Sequence, residues 1–470
     1  MINRREFTKA VGAAVGTAAL GTGAVAATGS DSDSKWNGRT DGTGDGHFVG
    51  AWSAAPAPPA ESGLSEEGFE NRTVRQMVNP SVGGSVARIR LTNRYGEDPV
   101  TFEKVTVADR DGGASVVPGS TETVTFGGEE SVFLPAGAAV YSDPVEFDVS
   151  ADEDVAVSFY AVDATGPATR HPLALKQTYS ALGNYTEASD GDAFEEAATS
   201  WFFLKGVDVR ADEEVGTVVA LGDSITDGFA STPGADHRYP DYLARRFVAN
   251  GVERSVVNAG ISGNRVLYDS VSGTGFGNNA LARLDHDVLA QPGVTEVILL
   301  EGINDIGQYP PAVGADRIIF GLKQIARQLH AHDIDVYAGT LTPTQGASYE
   351  EDYDSAEAEA QRQAVNEFIR TTDAFDGVVD FDAALRDPDH PERMLPKYDS
   401  GDNLHPGDAG YRAMAEAVDL SLFEDGGKGE SGREGEAEDG TESEESDGTT
   451  ASETESNRNS MSTRTAPPAE

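Results

Sequence analysis

The chain has 470 residues, 80 of them acidic and 35 basic, for a formal net charge of -45, and it contains no cysteine. That length suggests more than one domain. The charge leaves little to displace counterions from a phosphate backbone, so nucleic acid is not an expected partner. Without cysteine there are no disulfides, thiolate nucleophiles, cysteine-ligated metals or lipidated-cysteine anchors.

Taken in chain order, residues 1–28 read as an address. Asn3-Arg4-Arg5-Glu6-Phe7-Thr8-Lys9 carries a twin arginine, a weakly apolar run follows over 10–27, and Ala24-Val25-Ala26 offers small residues for cleavage. A twin-arginine signal peptide is expected, with the twin-arginine translocase as a transient partner and a secreted location. Residues 29–46, rich in Gly, Ser, Asp and Thr, read as a disordered linker.

Over 47–212 the apolar residues recur every second position. Ala87, Ile89 and Leu91 alternate with Arg88 and Arg90, Val145, Phe147 and Val149 alternate with Glu146 and Asp148, and Val155, Val157 and Phe159 continue the pattern. Short strands punctuated by Gly, Pro and Asp predict an all-β sandwich or jelly-roll domain.

The rhythm changes over 213–424. Strands are expected at 217–221, 255–257, 296–300, 336–340 and 378–381, and helices at 239–249, 281–289, 315–331, 356–370 and 409–422. Alternation of this kind predicts a three-layer α/β/α domain around a parallel sheet, in which ligands bind beyond the carboxyl ends of the strands. Residues 425–470, mostly Glu, Gly, Ser and Thr, read as a disordered acidic tail.

Four motifs fall at those strand ends: Gly222-Asp223-Ser224-Ile225-Thr226, Asn258-Ala259-Gly260-Ile261-Ser262-Gly263-Asn264, Gly302-Ile303-Asn304-Asp305, and Asp402-Asn403-Leu404-His405-Pro406. A serine hydroxyl needs a base to act as a nucleophile, and His405 suits that role for Ser224. Asp402, three residues earlier, is placed to hold one ring nitrogen while the other faces the serine. The oxyanion of acyl transfer needs preorganised donors, and the amides of Ser224 and Gly263 with the Asn304 side chain supply three. The Gly-x-Ser-x-Gly elbow of α/β-hydrolases is absent at Ser224.

These motifs resemble the blocks of the SGNH (GDSL-type) hydrolase superfamily over about 215–422. The resemblance implies a flavodoxin-like sheet and a serine esterase or lipase. It also implies Ser224, Asp402 and His405 as catalytic residues, with Ser224, Gly263 and Asn304 forming the oxyanion hole. Gly260 is a rival for the glycine position. Thr73-Val74-Arg75-Gln76, Arg88-Ile89-Arg90-Leu91-Thr92-Asn93-Arg94-Tyr95-Gly96 and Ser142-Asp143-Pro144-Val145 look like the β-rich domain that precedes the catalytic domain in a secreted subgroup of these enzymes.

The acidic, lysine-poor composition looks like that of salt-loving archaea; at molar salt the Debye length is about 3 Å, which screens self-repulsion. Arg88, Arg90 and Arg94 are expected to pair with carboxylates rather than bind a ligand. His286, between Asp285 and Asp287, is expected on a helix surface, and no metal or cofactor is expected. The resulting reading is a secreted serine ester hydrolase acting on acyl or acetyl esters of carbohydrates or lipids. The alternatives are a non-catalytic carbohydrate-binding or cell-surface protein with a hydrolase-like domain, or a structural surface protein that uses its acidic tail.

Overall fold

The computed structural model describes residues 39–40, 46–269, 275–308, 313–349 and 352–423. The expected signal peptide and acidic tail lie outside these residues. Everything described belongs to one compact unit, within which a β-rich region is followed by an α/β region.

Beside two two-stranded pairs, Arg170–His171 with Trp201–Phe202 and Val100–Phe102 with Val132–Leu134, the β-rich region is built on two large, curled and mainly antiparallel sheets. One is built around the strand Gly83–Thr92, which pairs with Leu204–Ala211, Ala139–Tyr141 and Val145–Val149, while Leu204–Ala211 also pairs with His47–Ser53. The other runs Thr178–Leu182, Arg72–Val78, Val155–Ala161, Lys104–Gly112. Their alternating apolar positions, among them Val49, Val74, Ile89, Leu91, Val105, Val107, Val157 and Phe159, form one buried cluster. The period-two pattern is thus explained by one face of each strand entering a shared core. Part of the expected linker is ordered: Arg39–Thr40 pairs in parallel with Gly83 and Gly84. Backbone pairing needs no side chain to bury, so a Gly- and Ser-rich composition does not forbid it.

In the α/β region five strands, Gly216–Gly222, Arg254–Gly260, Val294–Leu300, Asp335–Gly339 and Gly377–Val379, pair in parallel throughout, and the first lies between the second and the third. The register sets Gly222 beside both Gly260 and Leu300, so the first three motif loops leave the sheet at one edge. The helices Tyr239–Asn250, Ala315–His330, Ala356–Thr371 and Asp408–Ala417 close over an apolar core that takes in Val218, Leu243, Ile298, Ile325, Val365 and Met414. None of the described helices is long and apolar enough to cross a membrane.

Three elements depart from expectation. The last helix, expected over 409–422, ends at Ala417 and gives way to a 3₁₀ turn, Leu420–Phe423. Phe381 begins a short helix, Phe381–Leu385, capped by Asp380, instead of ending a strand. The helix expected over 281–289 is α-helical only at Ala280–Leu284 and then widens into a π-turn, Asp285–Leu289. The wider turn brings Asp287 inward, where its Oδ1 accepts a hydrogen bond from Lys205 Nζ at 2.6 Å. His286 is correspondingly not a free surface residue: its side chain is 13 % exposed and Nδ1 lies 2.9 Å from Asp285 Oδ1.

The Lys205–Asp287 pair is one of several bonds joining the two regions. Arg90 Nη2 donates to Gln291 Oε1 at 2.8 Å, the Gly50 amide donates to the Pro292 carbonyl at 3.1 Å, and the Val256 amide donates to Ser81 Oγ at 3.0 Å. As expected, Arg88 and Arg90 pair with a carboxylate, both with the buried Asp208. Arg94 has no carboxylate within ion-pair distance among the described residues. Removing one partner of a buried ion pair leaves an uncompensated charge, at a typical cost of about 3–5 kcal/mol. Asp287→Ala should therefore lower unfolding stability by about 3–5 kcal/mol, read as a drop in the urea midpoint with an unchanged native far-UV spectrum.

Candidate active site

The first parallel strand ends at Gly222, where a β-carbon would sit 2.6 Å from the Leu300 carbonyl. The chain then turns at once. Asp223 caps a four-residue helix, Ser224–Asp227, accepting from the Ile225 amide at 2.9 Å, and Gly228 closes it in the left-handed region. Ser224, the first helical residue, is held over the strand end and is 7 % exposed.

His405 reaches it from the far end of the region, 181 positions later, with Nε2 2.8 Å from Ser224 Oγ. The ring's other nitrogen lies 2.7 Å from Asp402 Oδ2. The Asp402 carboxylate is itself fixed by its own loop, since Oδ1 accepts from the His405 amide at 2.8 Å and the Leu404 amide at 2.9 Å. Asn403, at φ 59°, makes the turn that allows this; asparagine tolerates that conformation better than most residues. Burial opposes ionisation of Asp402, but the bonds from His405 and the Leu404 amide hold its carboxyl well below the usual range.

Asn304 lies on the helix Ile303–Gly307, with Nδ2 donating to the Asn264 carbonyl at 2.9 Å and Oδ1 accepting from Tyr353 Oη at 2.7 Å. Gly263 has φ +76°, and a β-carbon there would lie 2.4 Å from the Phe276 ring. The two candidate glycines are separated by their surroundings. The Gly260 amide already donates to Asn258 Oδ1 at 2.8 Å, whereas the amides of Gly263 and Ser224 have no acceptor among the described residues.

Three contributors carry no sequence motif. Tyr349 donates from Oη to Asp402 Oδ2 at 2.9 Å, on the same oxygen that faces His405. Tyr353 orients Asn304, as above. Phe229 packs against His405 with ring centroids 4.4 Å apart, and both Phe229 and Tyr349 remain exposed on the outer side. Each is a lone aromatic in a loop, so no periodicity or spacing marks it.

Beneath the serine lies a group of buried acids. Burial, with Asp305 and Asp227 nearby, pushes the Asp223 carboxyl up to about 7 against the Ile225 amide and Arg283. Burial likewise raises Asp305 to about 6, against the amides of Val266 and Leu267, and raises Glu301 well above the ordinary range.

A hydroxyl, an imidazole and a carboxylate in one hydrogen-bonded row, with amides at hand for a developing oxyanion, are equipment for acyl transfer; the class is a carboxylic ester hydrolase. Residues 220–413, within the α/β region, match the model of the GDSL-like lipase/acylhydrolase family. The chain is also similar to solved structures. A carbohydrate acetylesterase family member from Sinorhizobium meliloti is 20 % identical, over 44 % of this chain and 97 % of that one, with TM-score 0.35. A GDSL-like lipase from Bacteroides thetaiotaomicron is 20 % identical, over 45 % and 88 %, with TM-score 0.33. The inhibitor-bound aryl esterase of M. smegmatis is 17 % identical, over 44 % and 100 %, with TM-score 0.35. No curated protein matches the chain.

The raised acids give a pH signature. A carboxyl that is harder to ionise in the folded chain stabilises fully below its unfolded value of 3.8 and loses that contribution as the pH rises through about 7. Thermal stability should accordingly fall between about pH 4 and 7, and Asp223→Asn, which cannot ionise, should flatten part of that slope in a melting series against pH.

Proposed function

We propose that the chain is a secreted serine esterase using Ser224, His405 and Asp402. The observation that carries this reading is the unbroken row from Ser224 Oγ through both ring nitrogens of His405 to Asp402 Oδ2. In the proposed reaction Oγ attacks the ester carbonyl as its proton passes to His405 Nε2, and Asp402 stabilises the resulting imidazolium. The amides of Ser224 and Gly263 and the Asn304 side chain take the oxyanion charge. His405 then protonates the leaving alcohol and, in the second half, takes a proton from the water that releases the acid. The parallel sheet, with its first strand between the second and third, supports reading 213–424 as a flavodoxin-like three-layer SGNH domain and 47–212 as a β-sandwich preceding it.

For the substrate we propose acyl or acetyl esters of carbohydrates or lipids. The exposed rings of Phe229 and Tyr349 beside His405 offer apolar faces to the alcohol or acyl part. Export through the twin-arginine pathway and adaptation to molar salt are supported by the N-terminal Arg4-Arg5 pair and the charge of -45.

The test is hydrolysis of p-nitrophenyl acetate and longer p-nitrophenyl esters at molar salt. Ser224→Ala should lower turnover by roughly 10⁴-fold or more, and Asn304→Ala should lower kcat by about 10²- to 10³-fold. A folded Ser224→Ala variant with wild-type turnover overturns the serine mechanism. A folded wild type that is inactive on every ester but binds glycans favours the carbohydrate-binding alternative.

A further inference from the structure

We propose that the β-rich region takes part in the reaction through His171, a positioning residue that holds the loop carrying the Gly263 amide by way of Asp227. This rests on Ser224 as nucleophile and Gly263 as an oxyanion donor, as proposed above.

His171 lies on the two-residue strand Arg170–His171, which pairs with Trp201–Phe202, and it is 5 % exposed. Its Nδ1 is 2.9 Å from the Ala55 carbonyl. A carbonyl only accepts, so Nδ1 carries a proton and the ring cannot turn over without losing that bond. The Trp201 ring packs on it at 5.5 Å, and Trp201 is itself anchored by Nε1 donating to the Met77 carbonyl at 2.9 Å. The imidazole is thereby fixed from the β-rich side, and its Nε2–H donates to Asp227 Oδ1 at 3.0 Å.

Asp227 is the last residue of the nucleophile's helix, and its amide donates to the Asp223 carbonyl at 2.8 Å. Its second oxygen accepts two bonds from one residue: the Ser262 amide and Ser262 Oγ, both at 2.8 Å. Gly263 follows directly, at a positive φ that glycine adopts without cost, with the Phe276 ring standing where a β-carbon would be. One carboxylate therefore ties the serine's turn to the oxyanion loop, and a histidine from the other region sets the orientation of that carboxylate. An Asp227 side chain without His171 has rotational freedom about its outer oxygen, and that freedom reaches the Gly263 amide through Ser262. Catalysis by preorganised donors depends on placement to a fraction of an ångström.

The experiment is steady-state kinetics of the full chain on a p-nitrophenyl ester, with folding checked by circular dichroism at the assay temperature. His171→Gln is expected to lower kcat about 10- to 100-fold, less than outright loss of a donor, with KM changed less than about twofold. Ser262→Ala should lower kcat as well. The double variant should fall short of the product of the two losses, because both act on one carboxylate. Gln291→Ala, which breaks a cross-region contact at the opposite edge of the sheet, should lower the melting temperature and keep kcat. A folded His171→Gln variant with wild-type kcat overturns the inference, as do strictly multiplicative losses or an equal kcat loss in Gln291→Ala. If His171→Gln does not fold, Asp227→Asn and Ser262→Ala decide: lower kcat at unchanged KM supports the proposal, and unchanged kcat overturns it. Ser224→Ala is run beside them; if it keeps wild-type turnover, the serine reading falls and this inference falls with it.

Discussion

Arg283, 1 % exposed, donates to the Gly222 carbonyl at 3.0 Å, the Ala259 carbonyl at 2.6 Å and Asn264 Oδ1 at 2.9 Å, and it also reaches Asp287 and Glu301. Apart from Asp287, these groups belong to the ends of the first two parallel strands, the loop that follows the second, and the residue after the third strand. Neighbouring strands of a sheet are rotated relative to one another by its twist, and here one guanidinium ties their carboxyl ends together. Its planar fork allows several bonds at once, which an ammonium at the same place would not. Arg283 partly offsets the burial of Asp223 and Glu301, and Arg265 that of Asp305. Ser224, Asn264 and Asn304 all follow the strand ends that Arg283 ties together.

The same use of arginine recurs through the core. Arg88 and Arg90 converge on Asp208, Arg254 on Glu296, and Arg362 on Asp382 and Glu359. A fork that binds a carboxylate in plane and still has donors left for carbonyls suits interiors rich in acids. Part of the arginine bias in this acidic chain therefore answers a folding need inside the molecule, apart from whatever its surface charge does in salt.

How much of this was readable from the sequence follows from where each signal resides. Strands with one face in a core announce themselves by period two, and motif residues announce themselves by chemistry, so Ser224, Gly263, Asn304, Asp402 and His405 could be named as candidates, and the structure sets Ser224, His405 and Asp402 in one hydrogen-bonded row. Arg283 and Asp287 looked like ordinary helical positions, because a π-turn leaves no mark in an apolar pattern and inward-facing charges mimic a solvated face. His171 meets Asp227 across 56 positions of chain. Such a pair exists only once two sheets have packed, and neither residue belongs to a repeat or a spaced motif. Tyr349 and Tyr353 were hidden for the same reason.

The strand Leu204–Ala211 pairs on one side with His47–Ser53 and on the other with Gly83–Thr92, and after only a short turn the chain starts the parallel sheet at Gly216. Its place in the order of assembly is therefore late: the β-rich region cannot complete its first sheet until nearly all of its own chain has been made. Contacts so distant in sequence are slow to form, since loop closure must precede the gain from pairing. His405 arrives later still. Ser224 is thus made 181 positions before the ring its hydroxyl meets, and the row from Ser224 through His405 to Asp402 closes only when nearly all of the α/β region has been made.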